Sequence, residues 1–228
     1  PTTPKTGWQH ADLLGPLRRA FPGRPLGFDT DVNGAALGEF HWGAAQGLED
    51  FVYVTAGTGI GGGGMARGRL LHGLVHPEMG HMMLPRMPGD PFDGACRKHG
   101  SCWEGLCSGP AIEKRTGMPA EQLPAEHPAW EAVVHDMAHA LANITCVLSP
   151  RRIILGGGVR KAGRLGEHAF FARLRSAVLD ILAGYISSPS LTESGIIHYL
   201  VPPQLGDNAG VCGAIMLARD AAAAVKEV

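Results

Sequence analysis

The sequence has almost no net charge and no long apolar run. Its 228 residues include 20 Lys and Arg against 21 Asp and Glu, which leaves a formal net charge of −1. A protein that binds nucleic acid without sequence preference normally carries a basic excess, so this balance argues against that class. No apolar run reaches the roughly 18 residues of a membrane-spanning helix, and no secretory signal pattern opens the chain. We therefore expect a cytoplasmic protein that binds neither nucleic acid nor membrane.

Cysteine is also scarce, and the five present are an odd number that does not suit a framework of paired disulfides. Two of them lie close to histidines, which favours a reducing compartment and metal ligation. Glycine is abundant by contrast, because 33 glycines are about twice the ordinary share of ~7%. They follow no collagen-like period and cluster at 57–64 and 156–158, which indicates loops where the backbone approaches another group closely.

Apolar and β-branched patterning predicts an α/β fold, because strands alternate with helices along the chain. We expect a tight Gly-rich hairpin after the strand at 50–55. Residues 81–105 are rich in Pro, Gly, Cys and His and are expected to form a loop-like insert. The predicted strands cover 26–29, 50–55, 152–155 and 195–200, and the predicted helices cover 11–20, 130–148, 170–181, 210–225 and a segment from 33 onward.

A candidate metal site stands out in this insert. His81 is followed by a C-x2-H-x2-C pattern formed by Cys96, His99 and Cys102. Four such ligands fit tetrahedral Zn2+, and a closed four-ligand site is structural. A loop rich in Gly and Pro buries little apolar area, so a metal would supply its cohesion. The alternative is a reactive or merely buried pair of cysteines with incidental histidines. The remaining cysteines are expected in the core: Cys107, Cys146 and Cys212.

The Gly-rich run at 55–63, with the sequence TAGTGIGGG, is a candidate anion site. Successive small residues leave backbone N–H groups free to point at an anion, and Thr hydroxyls add donors. The run is neither a Walker A motif nor a strand-to-helix dinucleotide turn. Taken alone, it is explained equally well as an ordinary tight turn.

Acidic and amide side chains form a third candidate group. Asp29, Asp31 and Asn33 lie at a predicted strand-to-helix junction, where they can hold a polyol and accept a proton from it. Helix capping explains one of the three equally well, but not all of them. Glu78 and Glu104 bracket the metal loop, and carboxylates that accept hydrogen bonds from hydroxyls suit a sugar. Each of these two, taken singly, is also explained as a solvated surface residue.

Together these segments resemble the ROK family of repressors, open reading frames and kinases, and within it the bacterial fructokinase branch. The hairpin sequence GTGIGG at 57–62, Gly73 and the Glu78-x-Gly80-His81 run match the family signature. The fructokinase-like features are Thr-Pro-Lys at 3–5 with Trp8, TDVN at 30–33 and the C-x2-H-x2-C spacing; ILGGGV at 154–159 and GDNAGVCGA at 206–214 match later family segments.

The resemblance implies a hexokinase/actin-like (ribonuclease H-like) α/β fold with ATP and a sugar in the cleft. It implies that Asp31 is the catalytic base, that D-fructose is the preferred hexose, that Mg2+ accompanies ATP and that the protein is a homodimer. His81 would bind zinc through one ring nitrogen and the sugar through the other. The implied sugar ligands are Asn33, Glu78, His81 and Glu104, and the implied ATP-binding residues are Thr58, Gly59, Gly156, Gly157 and Gly158.

The resemblance also implies a domain division. Residues 1–32 would end the N-terminal domain, 33–210 would form a C-terminal domain that holds zinc, sugar and ATP, and 211–228 would return toward the N-terminal domain. The hairpin with an Asp-x-Gly-Gly-Thr-type phosphate motif, which family members carry before this region, is not in the sequence. We therefore expect these 228 residues to bind zinc but to phosphorylate poorly unless that segment is supplied. The alternatives are a sugar-responsive transcriptional regulator of the same family and a non-catalytic sugar-binding zinc domain.

Overall fold

A computed structural model describes residues 11–224, so the Thr-Pro-Lys and Trp8 features lie outside the described residues. The fold is mixed α/β, as predicted. No helix in this part of the chain is both long and apolar enough to cross a bilayer. The strands are β1 (Phe51–Ala56), β2 (Ile60–Ala66), β3 (Arg69–Leu70), β4 (Ile153–Gly156) and β5 (Leu200–Val201). The helices are α1 (Leu14–Ala20), α2 (Asp31–Trp42), α3 (Trp103–Cys107), α4 (Gly109–Thr116), α5 (Ala129–Leu148), α6 (Glu167–Leu182), α7 (Ile196–Tyr199) and α8 (Ala209–Ala224).

The five strands form one sheet in the order β3-β2-β1-β4-β5. β1 and β2 form the predicted antiparallel hairpin, with Phe51 opposite Met65. β1 also pairs in parallel with β4, and β4 pairs in parallel with β5. Because β1 and β4 run in the same direction, the glycine-rich segments that follow them leave the sheet at the same edge.

Helices cover the two faces of the sheet, and the alternation of side chains along β1 shows the division. Val52 and Val54 pack in the larger core cluster with α5 and α6, which includes the fully buried Trp130. Phe51 and Tyr53 point to the opposite face and pack with small residues of α2. Period-two alternation with both faces buried is expected for a central strand between helical layers.

α2 begins where the sequence predicted a helix, but its cap is Thr30. The Thr30 hydroxyl accepts a hydrogen bond from the backbone N–H of Asn33 at 3.2 Å. Thr is among the preferred N-cap residues because its oxygen satisfies a free N–H of the first turn. Further along, α2 packs directly on α8, since a side chain at Gly38 would collide with the Ala209 backbone.

Two predicted strands are wrong. Residues 26–29 have no regular secondary structure and pair with no strand among the described residues, and Gly27 lies instead against the backbone of Leu217 in α8. Residues 195–200 form mainly the short helix α7, because one helical turn places both Ile196 and Tyr199 in the core. Only Leu200, at the end of that segment, joins the sheet.

The prediction for the three cysteines outside the metal pattern is correct for only one of them. Cys107 is buried in the core, where its thiol contacts the Val133 carbonyl at 3.8 Å. Cys146 is exposed and Cys212 is half-buried. Cys146 lies in the last turn of α5, whose buried face ends at Thr145, so helical periodicity alone placed it wrongly.

Candidate active site and metal centre

The predicted ATP-binding glycines meet at the carboxyl edge of the sheet. Thr55 of β1 is in register with Gly156 of β4, so the turns after these strands are neighbours. Gly157 has a φ of +84°, and a side chain there would collide with the Ala56 backbone. A crevice at the carboxyl ends of parallel strands is where open α/β sheets bind ligands. The structure therefore brings Thr58 and Gly59 to the same edge as Gly156, Gly157 and Gly158.

Asp31 is the first residue of α2, and its side chain is exposed. One carboxylate oxygen accepts a hydrogen bond from the Val32 N–H at 2.9 Å. A carboxylate is favoured at this position because it faces the positive end of the helix dipole. The second oxygen makes no protein hydrogen bond within residues 11–224, so it is available to a substrate hydroxyl.

Asn33 is buried and joins α2 to the hairpin. Its Oδ1 accepts a hydrogen bond from the Gly64 N–H at 3.2 Å, and its Nδ2 donates to Asp29 Oδ1 at 2.9 Å. A side chain at Gly63 would collide with the Asn33 amide. In this structure Asn33 thus orients the helix that carries Asp31, and its contact with a sugar stays a prediction.

The opposite face of the hairpin carries the other predicted sugar ligands. A 3₁₀ turn at Met79–His81 packs on β2, since Met79 occupies the space beside Gly62 and Gly80 lies against the Ile60 carbonyl. Glu78 precedes this turn and is exposed. Glu104 accepts a hydrogen bond from the Ile60 N–H at 3.0 Å through Oε2. The glycine stretch of β2 is therefore approached by α2, which begins at Asp31, and on its other face by the turn that follows Glu78.

The four predicted metal ligands form one cluster. Their ligand atoms all lie within 4.8 Å of one another, in His81, Cys96, His99 and Cys102. His81 Nδ1 is 3.4 Å from Cys102 Sγ and 3.9 Å from Cys96 Sγ, and Cys96 Sγ is 3.8 Å from His99 Nδ1. Tetrahedral zinc, with Zn–S of about 2.3 Å and Zn–N of about 2.0–2.1 Å, requires N···S and S···S separations of about 3.5–3.8 Å. The donor set and its spacing fit a tetrahedral divalent metal.

The Cys102 thiol would need a cation to ionise. Burial, opposed by the Gly105 backbone N–H and reinforced by the neighbouring Cys96, raises the pKa of this thiol to about 11. Without a cation the thiol would stay neutral at pH 7, whereas a divalent metal stabilises the thiolate. His81 directs Nδ1 toward the two thiols, which leaves Nε2 for a different partner, as is usual for metal-bound histidine.

Two residues of this region were missed by the sequence analysis. His72 Nε2 lies 2.9 Å from Asp29 Oδ2, although the two residues are 43 positions apart. Glu39 is fully buried in α2, and its carboxylate accepts hydrogen bonds from the backbone N–H groups of Ala44, Gln204 and Leu205. Neither residue belongs to a local motif, so only the folded chain reveals its partners.

Comparisons with known proteins agree with the fold and show the family. The sequence profile of the ROK family matches residues 1–221. The chain is 40% identical to the fructokinase of Pediococcus pentosaceus over 96% of its own length and 73% of that protein. It is 42% identical to the fructokinase of Zymomonas mobilis over 95% of its length and 69% of that protein.

A solved structure shows the same architecture. The ROK hexokinase from Thermus thermophilus superposes with a TM-score of 0.71 at 30% identity, over 93% of this chain and 70% of that one. The predicted hexokinase/actin-like fold is thereby confirmed. The profile match, the identities and this structural likeness lead to one conclusion: the chain belongs to the ROK family.

Proposed function

We propose that the protein transfers the γ-phosphoryl group of ATP to a hexose, with D-fructose as the preferred substrate and fructose 6-phosphate as the product. The observation that carries this proposal is the exposed carboxylate of Asp31, held at the start of the helix that packs on the glycine stretch 61–64 of β2. The fructokinases from Pediococcus and Zymomonas supply the choice of reaction and sugar.

In this reaction Asp31 accepts the proton of the sugar hydroxyl. The hydroxyl oxygen then attacks the γ-phosphorus of MgATP, the bond to the bridging oxygen breaks, and ADP leaves with its magnesium. Phosphoryl transfer depends mainly on positioning and charge neutralisation, so the protein needs few reactive groups of its own. Asn33 and Thr30 hold the base in place through the first turn of α2.

Sugar hydroxyls would be bound by Glu78, by His81 Nε2 and by the second oxygen of Glu104. Backbone N–H groups around Thr58 and Gly59 would face the phosphates, and Gly156–Gly158 would leave space for the adenosine. The proposal requires the sugar and the γ-phosphate of the nucleotide to meet beside Asp31, since transfer depends on the reacting groups being held in line.

The Cys96, His99, Cys102 and His81 cluster would hold Zn2+. The metal would supply cohesion to a loop that has little apolar core, and it would fix the ring of His81. Because all four coordination positions are filled by protein, we assign it no part in the transfer step. We further propose a homodimer, a cytoplasmic location and a division into segments 1–32, 33–210 and 211–228.

The test is ATP-dependent phosphorylation by the product of the intact gene. ADP release is coupled to a spectrophotometric assay with fructose, glucose and mannose as separate substrates. Turnover with a kcat/KM highest for fructose would support the full proposal. A kcat/KM that is highest for another hexose would show that the substrate is not fructose but would leave the kinase reaction intact. Specific DNA binding without turnover would show that the protein is a transcriptional regulator.

A further inference from the structure

Asp29 lies two residues before the proposed base and is almost fully engaged by the protein. Its Oδ1 accepts hydrogen bonds from the Thr30 N–H at 2.7 Å and from Asn33 Nδ2 at 2.9 Å. Its Oδ2 lies 2.9 Å from His72 Nε2, and only 8% of the side chain is exposed. A carboxylate this deeply bound orients the turn that carries Asp31.

The direction of the His72 hydrogen bond follows from its neighbours. An ionised carboxylate can only accept, so His72 Nε2 must carry the proton. Asn33 Nδ2, 3.5 Å from the same nitrogen, is also a donor and offers it no acceptor. Burial raises the pKa of Asp29, but the hydrogen bonds from Asn33, Thr30 and His72 outweigh burial and hold this pKa below its usual value. The ionised form is therefore the one present at pH 7.

His72 also lies near the start of the loop that leads to Glu78. Residues 71–78, here called the 71–78 loop, have no helix or strand and end at Glu78. The loop exposes Leu74 fully, so apolar packing does not hold its tip. Among the described residues, its second side-chain hydrogen bond joins His76 to Glu78 at 2.9 Å and stays inside the loop. The His72–Asp29 bond is thus the side-chain tie between this loop and the turn before α2.

We propose that His72 is a positioning residue that, through Asp29, fixes the 71–78 loop and its Glu78 relative to Asp31. The inference rests on the proposed function, because it assigns Glu78 and Asp31 to opposite walls of one hexose site. Loss of the tie would leave Asp31 on α2, capped by Thr30 and anchored by Asn33. It would loosen residues 72–77, which lie between the backbone bond of Leu71 to Gly64 and the packed turn at Met79–His81 and lead directly into Glu78. Hexose binding should therefore suffer more than the transfer step.

The experiment compares three variants of the intact gene product. His72→Phe keeps a ring but removes the donor, His72→Gln restores a donor at similar reach, and His168→Phe changes an exposed histidine of α6 as a matched control. Hexose affinity is measured by calorimetry, and KM and kcat are measured by ADP release. Melting temperature is recorded for every variant.

His72→Phe should raise the hexose Kd and KM by about tenfold. The substitution removes one hydrogen bond to a charged group, and the free energy of such a bond corresponds to about a tenfold change in Kd. Its kcat should change less than about threefold, which separates loss of uniform binding from loss of transition-state stabilisation. His72→Gln should recover most of the affinity, and His168→Phe should match the wild type.

A His72→Phe protein with wild-type hexose Kd and KM would overturn the inference, as would a His72→Gln protein no better than His72→Phe. Equal losses in kcat and affinity that follow the melting temperature would show a merely structural role. If the wild type binds hexose but transfers no phosphate, the proposed function fails, and the calorimetric comparison still decides the role of His72. If the wild-type protein binds no hexose, both the proposed function and the proposed role of His72 are wrong.

Discussion

Gly213 of α8 lies directly against the carbonyl oxygen of Gly34 in α2, so the two helices touch backbone to backbone at this point. A side chain on Gly213 would collide with three backbone atoms of Gly34. Such close approach needs glycine at position 213, whereas a Cβ added at Gly34 would meet only the Gly210 carbonyl oxygen, at 4.0 Å. The contact holds the helix that begins at Asp31 against α8. The contact links the C-terminal helix to the geometry of the candidate base.

Gly213→Ala should lower the free energy of unfolding by about 3 kcal/mol, because the added methyl forces α8 away from α2. Gly210→Ala is the matched control, since a methyl at that position of the same helix meets no atom within 4 Å. Alanine should there raise stability by about 0.5–1 kcal/mol through its better helix propensity. Urea unfolding measures both changes, and equal effects at the two positions would contradict the close contact.

Asp31→Asn should reduce kcat by at least about 100-fold, because the amide cannot accept the hydroxyl proton. Hexose affinity should stay within about threefold of the wild type, since the side chain keeps its size and its hydrogen-bonding atoms. Steady-state kinetics and calorimetry give the two numbers. Asp180→Asn, an exposed aspartate in α6, should leave both unchanged, and retained turnover in Asp31→Asn would exclude Asp31 as the base.

Cys102→Ser should remove bound zinc and lower the melting temperature by roughly 5–10 °C, because a structural metal adds its binding free energy to folding. Elemental analysis and thermal denaturation provide the measurements. Cys146→Ser is the control, since Cys146 is exposed and lies outside the cluster. Identical melting curves for Cys102→Ser and the wild type, with no zinc in either protein, would show that the cluster does not hold a structural metal.

Asp29 should make stability depend on pH. Its folded-state pKa lies below the ordinary value of 3.8, so its contribution is present above that value and is lost as the pH falls below it. The difference in unfolding free energy between the wild type and Asp29→Asn should therefore be largest above about pH 4 and should shrink at lower pH. Denaturant unfolding over a series of pH values tests this. If the stability difference between the wild type and Asp29→Asn grows as the pH falls, the folded-state pKa of Asp29 is raised and the prediction is wrong.

The sequence predicted the parts of the fold and site that depend on local patterns. The hairpin after β1, the helices α5, α6 and α8, and the His81, Cys96, His99 and Cys102 cluster are all confirmed as structure. Each rests on residue spacing within a short segment, so neighbouring residues carry the information. The occupant of the cluster and the roles of the site residues stay predictions.

The errors and omissions have a common cause, because each depends on contacts between distant segments. Ile196 and Ile197 have the composition of a strand, but burial of Ile196 with Tyr199 favours a helical turn. Residues 26–29 have no strand partner among the described residues, and Gly27 lies against Leu217 of α8. His72 and Asp29 are 43 positions apart in the sequence, and the residues around each give no signal that the two side chains are in contact.

The four consecutive glycines at 61–64 reduce β2 to bare backbone at its centre. Val32 and Asn33 touch it from one side, and Met79 touches it from the other. A side chain introduced at Gly62 or Gly63 would therefore push the Met79–His81 turn or α2 away from the strand. Either displacement would move Glu78 relative to Asp31, so the centre of β2 has no tolerance for a residue larger than glycine.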